Sequence, residues 1–165
     1  MRSSLITVTV QNGKIAAVDL PEDFYPQAGS AAATPSCFRR WYASWYSGGP
    51  VPVDPDWFDW STVTPFASQV LSTLLHIPFG RVSTYADLAA LAGRPTAVRA
   101  VASVMACNPF PLIYPCHRII CSDRTPGSYS RVQDSPVKRR LLLLENRDCL
   151  QNGRVDVRYM FRDKT

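Results

Sequence analysis

The chain has 165 residues, 46% of them hydrophobic and 19% charged, with a formal net charge of +5. That balance belongs to one medium or two small globular domains and excludes a disordered or coiled-coil chain. No stretch approaches the eighteen apolar residues of a membrane span, and the opening residues lack the apolar core of a secretory signal, so the chain is expected to stay in the compartment where it is made.

The cysteines are five, an odd number without paired Cys-x-x-Cys spacing, which argues against a disulfide scaffold. Two histidines without a Cys/His cluster argue equally against a structural metal. Residues 1–79 hold four Lys/Arg against six Asp/Glu, a net of −2, whereas residues 80–165 hold fourteen against seven, a net of +7. The asymmetry points to a polyanion for the C-terminal half, nucleic acid first, with a solvated basic surface as the plain alternative.

In chain order, Leu5 to Val10 and Ile15 to Leu20 flank Asn12-Gly13, a strong hairpin signal. Phe38, Trp41, Tyr42 and Trp45 then fall on one helical face and read as core. Residues 48–65, with Gly-Gly, several prolines and three acids, read as a linker, dividing the chain into 1–60 and 61–165. Thr64-Pro65 opens a helix whose buried stripe is Phe66, Val70, Leu71, Leu74 and Leu75, stopped by Pro78 and Gly80.

Thr84-x-x-Asp87 caps a short helix with Leu88 and Leu91 inward and Gly93 past its end. Pro95 is expected to open a second helix ended by Asn108-Pro109, completing a helix-turn-helix. Val98, Val101 and Met105 form the apolar face of that second helix. Arg99, Ala102, Ser103 and Ala106 form the other, one long cation among small residues. Such a face fits a minor groove only about 6 Å wide, although an ordinary exposed Ala-rich helix would look similar.

Next, three prolines bring Cys116, His117 and Arg118 to a constrained turn. A thiol beside His and Arg has a route to thiolate stabilisation that a lone packed cysteine lacks. Adjacent side chains do not face each other, so a water between thiol and imidazole, with a carboxylate on the other ring nitrogen, serves better than direct contact. The one glutamate of the C-terminal half is Glu145, on a helix opened by Ser135-Pro136 with Val137, Leu141 and Leu144 inward. Spacing alone also allows it to be a solvated charge. Residues 150–165 read as a strand pair around Asn152-Gly153, from the alternation Val155, Val157, Tyr159, Phe161, or as a loose tail.

Pro115-Cys116-His117-Arg118, preceded by Asn108-Pro109 and the helix-turn-helix, resembles the O6-alkylguanine-DNA alkyltransferase family. Thr64-Pro65-Phe66, Ile77 to Gly80, Thr84-Tyr85, Leu88 to Gly93 and Arg99-Ala100-Val101 extend the resemblance over residues 64–147. It implies an α+β fold, with a small N-terminal β-sheet domain over 1–60 and a helical C-terminal domain over 61–165 for DNA binding and alkyl transfer. Cys116 would accept the alkyl group. His117 would act as its base through a water, oriented by Glu145, and Tyr85 would help rotate the nucleotide and hydrogen-bond the leaving guanine. Arg99 would fill the gap left by the flipped base, with Ala102, Ser103 and Arg118 also facing DNA. Asn108, Pro111, Ile119, Tyr129 and Ser130 would form the substrate pocket.

The implied partner is double-stranded DNA containing O6-alkylguanine, with O4-alkylthymine as a further substrate. The implied protein is a monomer without cofactor, metal or membrane, located in the cytoplasm with the nucleoid or in a eukaryotic nucleus. One alternative is a module like the alkyltransferase-like proteins, which bind alkylated DNA without repairing it and typically carry Trp at the Cys position. Another, a Cys-dependent hydrolase, would need direct Cys–base contact and an oxyanion hole. The chain departs from the family at Ala102-Ser103 and Arg131-Val132, where small glycines are usual. It also has Tyr114 for an aliphatic residue and a slightly longer segment before Lys138. These departures bear on the pocket rim and leave the nucleophile untouched.

Overall fold

The computed structural model describes residues 5–49 and 52–161; residues 50–51 of the expected linker and 162–165 of the expected C-terminal strand or tail lie outside them. Asn12 and Gly13 both adopt positive φ, 51° and 75°, as a tight hairpin turn requires. They join β1 (Thr7–Gln11) to β2 (Lys14–Asp19) as an antiparallel pair. Helix α1 (Ser36–Tyr46) follows and buries the expected face of Phe38, Trp41, Tyr42 and Trp45.

Within the segment expected to be a linker, Trp57, Phe58 and Trp60 pack into the core. Asp54 caps a 3₁₀ turn over Pro55–Trp57, and Phe58 beyond it is fully buried. The Phe58 ring lies 4.8 Å from Phe110 and 5.3 Å from Tyr114, and Trp60 packs edge-on against the same two rings. Backbone bonds from Asp59 to Ile15 and from Val18 to Pro109 tie the hairpin, this segment and the Cys116 loop together. Proline content suggested a linker, but the apolar area of the interleaved aromatics decides the outcome.

Helix α2 (Pro65–Leu74) is capped by Thr64, whose hydroxyl accepts the Ala67 N–H. Val70, Leu71 and Leu74 are buried as expected, but Leu75 is exposed. Thr73 takes the inner position instead, its hydroxyl donating to the Gln69 carbonyl at 2.8 Å. Helix α3 (Tyr85–Leu91) starts at the Thr84 cap and faces helix α4 (Val98–Ala106). The second helix thus begins at Val98, not Pro95. Pro95 sits second in a turn closed by Ala97 N–H to Arg94 O, a place its fixed φ suits as well as a helix start.

Strand β3 (Ser83–Thr84) pairs in parallel with β4 (Ile119–Ile120), which holds the start of α3 beside the residues that follow Cys116. Helix α5 (Pro136–Glu145) buries Val137, Lys138, Leu141, Leu142 and Glu145. The C-terminal hairpin of β5 (Leu150–Gln151) and β6 (Arg154–Val155) turns at Asn152-Gly153. The expected strand stops at Val155, because Asp156 caps a 3₁₀ turn over Val157–Tyr159 and leaves Val157 exposed. The fold is α+β, and among the described residues no helix is long and apolar enough to cross a membrane.

Because Phe58 is buried among Trp57, Trp60, Phe110 and Tyr114, Phe58→Ala should destabilise the protein by about 3–5 kcal/mol, as a buried aromatic does, rather than by the few tenths typical of a surface loop. Denaturant unfolding measures the difference.

Candidate functional site

Cys116–Arg118 forms a single 3₁₀ turn entered from Pro115. Asn108 holds the approach to it. Its Oδ1 accepts the Phe110 N–H at 2.9 Å, while its Nδ2 donates to Tyr114 O at 2.9 Å and to Cys116 Sγ at 3.1 Å. One side chain therefore fixes the loop and touches the sulfur.

On the far side of the turn, His117 Nε2 lies 2.9 Å from Glu145 Oε1, both residues buried. Arg118 grips the same carboxylate, Nε donating to Oε2 at 2.9 Å and Nη2 to Oε1 at 2.8 Å, with Nη1 donating to Ile77 O at 2.7 Å. Gly80 N–H donates to Oε2 at 3.1 Å; its φ of +73° and the nearness of the Glu145 backbone suit glycine there. Trp45 Nε1–H donates to Oε1 at 2.9 Å.

Burial pushes the Glu145 carboxyl up, but His117 and Arg118 outweigh it and hold the group well below the usual carboxylate range. Burial likewise pushes the His117 imidazole below the usual histidine value, against the pull of Glu145. A neutral ring facing an ionised carboxylate carries its proton on Nε2. Nδ1 is then an open lone pair, and it has no hydrogen-bond partner among the described residues.

Arg118, expected to face DNA, is turned inward, its guanidinium engaged by Glu145 and Ile77. The reason is electrostatic, since a buried carboxylate without a bound cation would be strongly unfavourable. Glu145 is equally not a solvated helix end.

A cavity of about 340 Å³ opens in front of Cys116, lined by Tyr85, Ala102, Met105, Ala106, Cys121, Ser128, Tyr129, Ser130 and Arg131. Its size lies in the range of small-molecule sites, roughly 300–1,000 Å³. Burial, then Cys121 and Cys116, push the Tyr85 phenol up to about 12, and burial with Cys116 raises Tyr129 well above its ordinary value. Both are therefore neutral O–H groups at pH 7. Burial pushes the Cys116 thiol up, opposed by the Asn108 bond and the Lys138 charge, so the resting sulfur is protonated.

Of the expected pocket residues, Tyr129 and Ser130 line the cavity, and Asn108 reaches the sulfur from the loop. Pro111 and Ile119 are buried and do not line it, Ile119 because it begins β4 and points into the core. On α4, Ala102 borders the cavity while Arg99 and Ser103 are exposed. At the rim, Ser130 and Arg131 adopt φ of 48° and 67°, a conformation suited to glycine, and Arg131 Nη2 reaches Cys107 Sγ at 3.0 Å.

Besides the lining residues Met105, Cys121 and Ser128, two buried residues bonded to the site carried no functional signal in the sequence. Lys138 is buried, donates to Ile119 O and Ser128 O, and is pushed down to about 8 by burial. The inward spacing 137, 138, 141, 142, 145 marks only its burial. Trp45 lay on the recognised aromatic stripe, but nothing in its spacing announced a partner 100 residues away.

The sequence model described as "6-O-methylguanine DNA methyltransferase, DNA binding domain" matches residues 65–147. The human methylated-DNA–protein-cysteine methyltransferase is 52% identical over 66 residues, covering 39% of this chain and 32% of that protein. The chain spans between about a third and just over half of the length of the curated relatives it matches. Among solved structures, the Mycobacterium tuberculosis enzyme in complex with DNA superposes with a TM-score of 0.64 at 26% identity, covering 86% of this chain and 87% of that one. S. pombe Atl1, bound to damaged DNA containing O6-carboxymethylguanine, gives 0.52 at 26% identity, covering 59% of this chain and 95% of that one. With half its length matched by the family model, the chain belongs to the 6-O-methylguanine DNA methyltransferase family.

Proposed function

We propose that this chain repairs DNA by moving the alkyl group of O6-alkylguanine onto its own Cys116, with O4-alkylthymine, a similar exocyclic ether, as a second substrate. The observation that carries the reading is Cys116 Sγ on the wall of a base-sized cavity bordered by α4, with the His117–Glu145 pair behind it. The alkyl carbon is buried in the base stack, so the nucleotide must be flipped before a thiol can reach it. Arg99, exposed on the outer face of α4, takes the vacated place, and residues 61–165 carry the DNA-binding and transfer chemistry in a single copy of the chain.

Within the pocket the Cys116 proton passes through a bridging water to His117 Nδ1, and Glu145 stabilises the resulting imidazolium. Sulfur then bonds to the alkyl carbon as the carbon–O6 bond breaks, and the electron pair stays with guanine, which accepts a hydrogen bond from the neutral Tyr85 phenol. Asn108 holds the sulfur in line, and Lys138 places positive charge near it while pinning the Ile119 carbonyl. The thioether product does not hydrolyse at neutral pH, so each molecule reacts once. The structural likeness to Atl1 keeps a binding-only reading in view, and Cys116 is what separates the two.

Incubation with a duplex containing O6-methylguanine should add a single methyl mass to Cys116, and Cys116→Ser should lose transfer while keeping most DNA affinity, which phosphate contacts supply. Methyl on Cys107 or Cys121 in that variant would overturn the assignment. Arg99→Ala should slow repair in duplex DNA by one or more orders of magnitude, each ~1.4 kcal/mol being tenfold. The same variant should react almost normally with free O6-benzylguanine, where nothing is flipped; an equal loss on both substrates would make Arg99 part of the pocket instead. Because burial depresses the His117 value, the single-turnover rate should hold as pH falls to about 6.5 and decline only below it. A limb centred above that value would remove His117 as the base.

A further inference from the structure

Glu145 Oε1 takes three donors, from His117, from Arg118 and from the Trp45 indole, while Oε2 takes Arg118 and Gly80. Four of these five bonds come from residues 80–118. The fifth comes from α1, in the N-terminal part of the chain. Trp45 is fully buried, stacked on Trp41 at 6.0 Å and 7°, tilted against Tyr42 at 5.5 Å, and set edge-on to the His117 ring at 6.4 Å and 77°. Its N–H therefore has little freedom to turn elsewhere.

We infer that Trp45 is a positioning residue for alkyl transfer: by sharing Glu145 Oε1 with His117, its indole N–H ties α1 into the Cys116–His117–Glu145 relay and limits how strongly the carboxylate stabilises an imidazolium. This inference rests on Cys116 being the acceptor and His117 its base.

The physical ground is competition at one atom. A carboxylate oxygen offers about two lone-pair directions, and three donors crowd them. When His117 takes the thiol proton, its bond to Oε1 must shorten and strengthen, and the indole resists that by holding part of the same electron density. The charged groups acting on His117 are Glu145 and Lys138 from α5 and Arg118 from its own turn, while α1 contributes the neutral indole. Without the N–H, Oε1 turns more fully to His117, and the ring becomes more basic. The relay would then be jammed by a protonated base at a pH where the native site still works.

The test is Trp45→Phe, which keeps an aromatic ring and removes the donor. Single-turnover methyl transfer from duplex O6-methylguanine is followed from roughly pH 5 to 8, with the His117 imidazole titrated in parallel by ¹⁵N NMR. The expected result is an acid limb moved upward by at least about half a pH unit, and the same shift in the NMR titration. Rates should converge with the native protein at the alkaline end. Trp41→Phe serves as the control, because it removes a buried N–H of the same stack that has no hydrogen-bond partner among the described residues. Trp41→Phe should leave the limb in place.

If Trp45→Phe folds and binds DNA yet keeps the native limb, even with a uniformly lower rate, Trp45 is packing and the inference fails. A limb moved equally by Trp41→Phe overturns it as well. Should Trp45→Phe fail to fold, benzothienylalanine at position 45, which exchanges the N–H for sulfur at nearly the same shape, reads the same limb with the same two outcomes. Failure of the underlying reading is separately visible, as absence of methyl on Cys116 in the native protein.

Discussion

The rest of the molecule is arranged around one buried carboxylate. An ionised glutamate at the end of α5 can persist in the core only if every lone pair meets a donor and its charge meets a cation. Here the donors come from the Cys116–Arg118 turn, from the loop at Gly80, and from α1. Satisfying that single group fixes the spacing of three parts of the chain that are far apart in sequence. It also explains why the arginine of the Pro-Cys-His-Arg motif faces inward.

Around this charge the site is kept neutral. The thiol, both tyrosine phenols and the imidazole all rest uncharged, because burial disfavours their ionised forms. A permanently ionised sulfur would be a stronger nucleophile but would require its own desolvated counter-charge. Lys138 lies close enough to act on the sulfur, yet its donors are also engaged by the Ile119 and Ser128 carbonyls.

The outer face of α4 is separated from this interior. Arg99 and Ser103 stand on the outside of α4 while Ala102, one turn beyond Arg99, borders the cavity. The small side chain lets the helix be both exposed surface and pocket wall. At the rim, Arg131 occupies a left-handed backbone position and reaches Cys107, so the mouth of this pocket is more crowded than glycines would leave it.

Local signals in the sequence were sufficient for both Asn-Gly hairpin turns, the Thr64 and Thr84 caps, the aromatic face of α1 and the constrained turn at Pro115 to Arg118, because each depends on residues within a few positions of one another. The end of the C-terminal strand and the start of α4 differ from the local signals by a few residues, since Asp156 and Pro95 suit more than one local geometry. What tertiary structure alone decided was everything carried by contacts across the chain. Phe58 became core because Phe110 and Tyr114 stood opposite it. Arg118 turned from a prospective DNA contact into a counter-ion, and Glu145 from a prospective solvated charge into the hub, because each was the other's remedy for burial. Trp45 could not be read as anything but packing until folding placed its N–H against a carboxylate 100 residues away. Periodicity reports which face of an element is buried; which polar atom meets which, inside the core, is set only when distant elements dock.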